Sequence, residues 1–295
     1  MIEEPIDIML PWVNPTDVNW LNDFTYWKEK ETGDKCEGRF RDCNTLKYVF
    51  RSIEDNCPWC RYVFLVLSSP TQIPSWLNIN NPKLKIVYHK DYIPEEFLPT
   101  FNTSVIELFY CFIKELSENF ILINDDMFFT KNPGKNFYFQ KNLPVYKKCI
   151  IKPNLTDNWF ATLNRTLNVA KQITHKDIEM YHPNHLPISY KKSIWQFVHY
   201  KNKDLIYSTL KPSRFRNENR ITSYLFYYIT NAMKQCIYDN TERGRFYFFT
   251  NKNTKYDFNC NAVCLNESGE VSDENIDFLT KQLNIVFSKK SSFEL

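Results

Sequence analysis

The chain has 295 residues, of which 43% are hydrophobic and 24% charged; this is a length for one large domain or two small ones and a composition that excludes wholesale disorder. Formal charge is +3, from 37 basic against 34 acidic residues, a balance that argues against a broad phosphate-backbone binder but leaves room for a local basic pocket. Only 5 glycines occur, where ordinary usage gives about 20, and neither GxGxxG nor GxxxxGK[ST] is present, which excludes the glycine-loop nucleotide sites.

In chain order, Ile6 to Leu10 reads as a short apolar strand ending at Pro11-Trp12. Residues 44 to 56 carry Leu46, Val49, Phe50 and Ile53 at helical spacing, with Asn44 or Asp42 as the cap and Pro58 as the stop. Tyr62 to Leu67 and Leu84 to Tyr88 read as strands. Ser104 and Glu107 have capping-box spacing before apolar positions that run to Leu116. Phe120 to Ile123 is a strand that ends in Asn124-Asp125-Asp126. Residues 140 to 190 show no clear pattern; 221 to 236 read as an aromatic-rich helix, 245 to 250 as a strand, and 272 to 287 as a helix with acidic residues at its start. The alternation predicts an α/β fold: a mostly parallel, Rossmann-like sheet covered by helices, with a less regular second lobe. One catalytic domain over 1–295 is expected, 1–145 forming the α/β half and 146–295 the second lobe. The longest apolar runs fall far short of the roughly 20 residues of a bilayer-spanning helix. Met1-Ile2-Glu3-Glu4 lacks the marks of a secretory signal. The expectation is therefore a cytoplasmic protein whose nine cysteines are mostly reduced, Cys57 and Cys60 included.

Asn124-Asp125-Asp126 is the strongest candidate for chemistry. Ligands of open α/β sheets bind beyond the carboxyl ends of strands, and paired carboxylates there suit a hard divalent cation that stabilises phosphoryl charge. The alternative is a solvated Asx turn. His185, three residues after His182, has the chemistry of a general base or, with His182, of a metal ligand. Arg214-Phe215-Arg216 and Arg39-Phe40-Arg41-Asp42 are basic-aromatic groups, and arginine's fork matches phosphate. Arg51 lies opposite the apolar stripe of its helix, spaced for an ion pair with Glu54. Trp12 and Trp76 are either core or a stacking surface.

These residues fall into four ordered blocks that resemble the Stealth proteins, which include bacterial capsular polysaccharide phosphotransferases and the catalytic subunit of the animal N-acetylglucosamine-1-phosphotransferase. The first block is Ile6-Asp7-Ile8-Met9-Leu10-Pro11-Trp12-Val13-Asn14. The second runs from Arg39-Phe40-Arg41-Asp42 through Arg51, Glu54, Trp59, Trp76 and Leu98-Pro99-Thr100-Phe101 to Asn124-Asp125-Asp126. The third resembles His185-Leu186-Pro187, and the fourth Arg214-Phe215-Arg216 leading to Tyr224–Tyr228. The tail is similar in style, with Cys264-Leu265-Asn266 and Ser291-Ser292-Phe293-Glu294. The likeness runs from residue 5 to the end. Pro11, Pro15 and Cys43 depart from the family pattern, and the compact length is similar to the bacterial form.

The resemblance implies transfer of a hexose(N-acetyl)-1-phosphate from a UDP-sugar, UDP-N-acetylglucosamine first, to a hydroxyl of a glycan or polysaccharide acceptor. A phosphodiester forms and UMP leaves. It implies Mg²⁺ or Mn²⁺ on Asp125 and Asp126, with Asp126 or His185 taking the acceptor proton and Arg216 neutralising phosphoryl oxygens. Asp7, Trp12, Asn14, Arg51, Thr103, Asn124 and Arg214 are its donor-binding residues. The implied setting is the cytoplasm, at the inner face of the membrane where acceptors are anchored. A metal-dependent glycosyltransferase releasing UDP is the alternative enzyme, and a non-catalytic glycan-binding subunit the alternative class.

Overall fold

The computed structural model describes residues 4–147, 149, 157–182, 184–210, 213–250, 252–267, 269 and 271–295. The first half builds β1 (Ile6–Pro11), α1 (Val18–Lys30), α2 (Leu46–Asn56), β2 (Cys60–Leu67), β3 (Leu84–Tyr88), α3 (Thr103–Leu108), β4 (Asn119–Leu122) and β5 (Met127–Phe129). The second half builds β6 (Phe139–Gln140), β7 (Leu143–Tyr146), α4 (Asn158–Thr174), β8 (Ile188–Lys191), α5 (Lys192–Leu210), α6 (Tyr224–Ala232), β9 (Ile237–Tyr238), β10 (Arg245–Phe249), β11 (Ala262–Glu267) and α7 (Asp273–Val286).

The main sheet has the order β3-β2-β1-β4-β8. Its first four strands are parallel, and β8 closes the β4 edge antiparallel. This is the mixed α/β architecture with a mostly parallel sheet that the alternation predicts. The strands are near-continuously apolar because both faces are covered. Successive side chains point to opposite faces. Ile8, Leu10, Val63, Leu65 and Ile121 therefore enter one core with α2 and α7, whereas Met9, Phe64, Val66, Phe120 and Leu122 enter a second with α4, α5 and α6. Chain order reverses between β1 and β4, so the crevice of an open α/β sheet opens after these two strands. A smaller sheet, β10-β11-β5, extends from there. No helix among the described residues is long and apolar enough to cross a membrane.

Several local expectations are corrected. The α2 cap is Thr45, without a side-chain bond, because Asp42 instead accepts the Asn44 N–H at 2.8 Å. The α3 cap is Asn102, which accepts from Ser104 N at 3.0 Å, so Glu107 is no capping-box partner. That helix ends at Leu108, well short of Leu116. The patternless stretch 140–190 contains α4, whose buried face mixes Thr162, Thr166 and Ala170 with two leucines and so has little apolar contrast. Part of that stretch lies outside the described residues. Helix α1 has no sequence expectation of its own, whereas α5 is the helix that follows His185-Leu186-Pro187 in the third block.

Candidate active site

β4 hands the chain directly to the crevice. Ile123 N bonds to Met9 O at 3.0 Å, and Met127 N closes back onto Asn124 O at 3.1 Å. Asn124-Asp125-Asp126 thus forms a tight turn between two strands, the conformation short polar side chains favour. β8 lies beside β4 with Ile188 opposite Leu122, so a residue three places before β8 falls next to the turn. That residue is His185, whose Nε2 stands 3.3 Å from Asn124 Nδ2, a geometry in which an unprotonated Nε2 accepts the amide N–H. From the other side β11 pairs antiparallel with β5, Cys264 opposite Met127. Leu265 N then donates to Asp126 O at 2.9 Å, and Asp126 Oδ2 accepts from Cys264 Sγ at 3.4 Å and Asn266 Nδ2 at 3.2 Å. Asp126 Oδ1 is buried without a partner. Ligand atoms of Asp126, His185 and Cys264 lie within 4.8 Å of one another; His182 instead accepts from Trp159 Nε1 at 3.2 Å.

Arg216 reaches the same place from the second half. Phe215 is fully buried in an aromatic cluster with Trp20, Phe24 and Phe101, and the Phe101 and Phe215 rings stack at 5.1 Å. Gly33, at φ +132°, lies so close that an added Cβ would fall 2.7 Å from Phe215 Cβ. With Phe215 pinned, its neighbour Arg216 donates to Thr103 Oγ1. Its carbonyl accepts from Asp34 N at 2.7 Å, and Asp34 pairs with Arg39 at 2.5 Å. Burial lowers the Arg216 guanidinium to about 10, helped by Arg39 and Arg220 and opposed by Glu107 and Asp34. A cluster of arginines this sparsely compensated favours an incoming anion.

The electrostatics of the turn are uneven. Burial pushes the Asp125 carboxyl up to about 8, reinforced by Asp126 and Asp42. Burial also lowers His185, with Arg216 adding to the effect and Asp126 opposing it, so its imidazole is neutral at pH 7. Glu107, buried beside Arg216, is pushed up to about 7 by desolvation against the pull of Ser223 and Arg216. The Cys264 thiol is raised well above its ordinary value by burial and Asp126, so it stays a thiol.

Three predicted donor residues stand elsewhere. Asp7 lies at the start of β1, away from the crevice, fully buried and neutralised by Arg61 at 2.5 and 2.9 Å with Ser117 N at 2.7 Å. Arg51 does not pair with Glu54; it grips Glu294 through two bonds of 2.8 and 2.7 Å and donates to Phe287 O. Arg214 is bonded to Glu31 and Leu98 O and stacked 3.8 Å over Trp27. The functional heads of all three are occupied by the fold. Trp12 and Asn14 do follow β1 into the crevice, where Gln72 braces Asn14 through both backbone groups at 2.6 and 3.1 Å. Cys57 and Cys60 are buried free thiols away from the Asp126 cluster. Arg220 carries no sequence expectation; Asp42 stood only within the Arg39–Asp42 group and Cys264 and Asn266 only within the tail pattern, since the last two reach Asp126 across 138 and 140 residues of chain.

Residues 39–148 match the model of Stealth protein CR2, conserved region 2. The chain is 30% identical over 337 residues to a capsular polysaccharide phosphotransferase WcwK of Streptococcus pneumoniae, covering 99% of this chain and 98% of that protein. It is 29% identical over 328 residues to the exopolysaccharide phosphotransferase cps2G of Lactiplantibacillus plantarum, covering 98% and 96%. Among solved structures, a galactosyltransferase LgtC in complex with donor and acceptor sugar analogs aligns with a TM-score of 0.47 at 9% identity, covering 97% of this chain and 96% of that one. Full-length similarity at this level, joined to the family's second conserved region around the Asp126 turn, makes the chain an enzyme of the Stealth family of phosphotransferases.

Proposed function

We propose that the enzyme moves a hexose(N-acetyl)-1-phosphate from a UDP-sugar, UDP-N-acetylglucosamine in the first instance, to a hydroxyl of a capsular or cell-surface polysaccharide. The observation that carries this reading is the convergence of Asp126, His185 and Arg216 where the parallel sheet opens. The acceptor oxygen attacks the sugar-bearing phosphorus, a new P–O bond forms, and the bond to the bridging oxygen breaks as UMP leaves. The acceptor proton passes to His185, neutral beforehand and stabilised as a cation afterwards by Asp126. Arg216, fixed by Thr103 and flanked by Arg39 and Arg220, neutralises the phosphoryl oxygens. Trp12 and Asn14 line the donor's side of the crevice.

The donor set fits a hard divalent cation, Mg²⁺ or Mn²⁺. Asp126 Oδ1 is a buried carboxylate oxygen without a partner, and Asp125 beside it is a carboxyl that only a nearby positive charge would keep ionised at neutral pH. Such an ion would supply charge neutralisation on the diphosphate. Phosphorus NMR of the enzyme with UDP-N-acetylglucosamine, Mg²⁺ and a panel of acceptor sugars tests the reading. UMP with a new phosphodiester resonance supports it; UDP instead would move the attack to the sugar carbon and overturn it.

A further inference from the structure

Behind the His185 loop lies a second cavity, of about 90 Å³, lined in part by Tyr138, Tyr227, Arg243, Leu186 and Pro187. Arg243 enters it from the turn before β10. One of its nitrogens donates to Phe137 O, and its guanidinium carbon sits 4.2 Å over the Phe137 ring. Its Nε and Nη2 are buried and unpartnered, and so are the hydroxyls of Tyr138 and Tyr227, which are 3% and 1% exposed. The opposing charge that acts on it, Asp239, makes no ion pair with it and accepts from Thr241 N at 2.8 Å and Thr241 Oγ1 at 2.6 Å. Buried polar groups are nearly always hydrogen-bonded, and a buried cation without a counter-charge is costly. Water would satisfy the hydroxyls but would leave the guanidinium uncompensated.

We propose that this cavity is an oxyanion subsite, in which Arg243 Nε and Nη2 and the Tyr138 and Tyr227 hydroxyls bind one phosphate or carboxylate group. Every unpartnered group is a donor, which selects an acceptor-rich occupant. The anionic group sits among these donors, and the rest of any larger ligand projects outward. The site is separate from the Asp126 centre but shares walls with it. Leu186 and Pro187 follow His185 directly, and Arg243 precedes Phe246, whose ring lies 6.2 Å from the His185 ring. Gly244 between them packs against β11 so closely that a Cβ would meet Ala262 O at 2.2 Å. An occupant therefore bears on both segments that frame the histidine.

The test is binding of inorganic phosphate to the full chain without donor, by calorimetry, in an Arg216→Met background that removes the other anion site. Saturable binding is expected, weakened about tenfold or more in the further Tyr138→Phe/Tyr227→Phe variant. Those two substitutions remove only hydroxyls with no partner, so the fold survives them, and thermal unfolding without anion should be unchanged or raised. Arg243→Met should abolish the binding. Glucuronic acid and glucose 6-phosphate form the second arm. Tighter binding than phosphate assigns the group to a sugar-borne anion, and equal binding assigns it to the free ion. Phosphate affinity identical with and without the two hydroxyls, or no binding at all, overturns the proposal, and neither outcome touches the transfer reaction.

Discussion

Asp126 divides its two oxygens. Oδ2 is held by Cys264 and Asn266, and Oδ1 is left without a protein partner. An Asp126→Asn chain keeps the shape and loses the charge, so the turnover rate should fall about 10²–10³-fold with little change in thermal unfolding. A near-normal rate would remove Asp126 from the reaction. Glu107 makes a different prediction. Its folded carboxyl is pushed up to about 7, above its unfolded value of about 4.3, so the folded state holds its proton more tightly and stability falls as pH rises across that interval. Glu107→Gln should flatten this loss and gain on the order of 2–3 kcal/mol at pH 8 relative to the parent; parallel pH–stability curves for the two proteins would contradict it. At this scale the sequence displays what is local: paired carboxylates after a strand, and an arginine beside a phenylalanine that is buried. It does not display the ion pairs of Asp7, Arg51 and Arg214, because a charge is visible in a sequence but its counter-charge is not. Arg51 and Glu294 are 243 residues apart.

Helix α2 shows both sides of legibility at the scale of an element. Its apolar stripe, Leu46, Val49, Phe50 and Ile53, was readable and is buried. Its polar face spaces Arg51 for a pair with Glu54, yet Arg51 clamps the segment around Ser291 and Glu294 onto it, and Glu54 accepts from Ser292 N at 2.9 Å. Burial alone would raise the Glu294 carboxyl, but Arg51 and Ser291 together hold it at about 2. With the folded value below the unfolded one, this contribution is full above about pH 4.5 and is lost as pH falls towards 2. Arg51→Met should cost about 1–3 kcal/mol at pH 7, and the difference from the parent should shrink on acidification. Calorimetric unfolding at pH 7 and pH 3 checks both. Helix α4 was illegible for the converse reason: a helix packed through Thr and Ala shows no apolar contrast to read.

For the whole molecule, the strand-helix alternation implied a mostly parallel sheet, which the structure has, and the known behaviour of such sheets directs attention to the carboxyl ends of its strands. What the alternation did not reveal is that β5, β10 and β11 form a second sheet whose strand β11 supplies two contacts to Asp126. If a divalent cation completes the site, chelation with EDTA should abolish turnover and lower the melting temperature, and Mn²⁺ or Mg²⁺ should restore both. Full activity in EDTA would rule the cation out.

The wide spacing of the Asp126 contacts also dictates a timetable. On the ribosome the carboxylate turn emerges 138 residues before Cys264, and His185 and Arg216 follow it at intervals. The amino-terminal strands have what they need to pair early, but the partners that orient Asp126 do not yet exist. A nascent chain therefore assembles its scaffold first, and the surroundings of Asp126 are complete only once β11 has emerged.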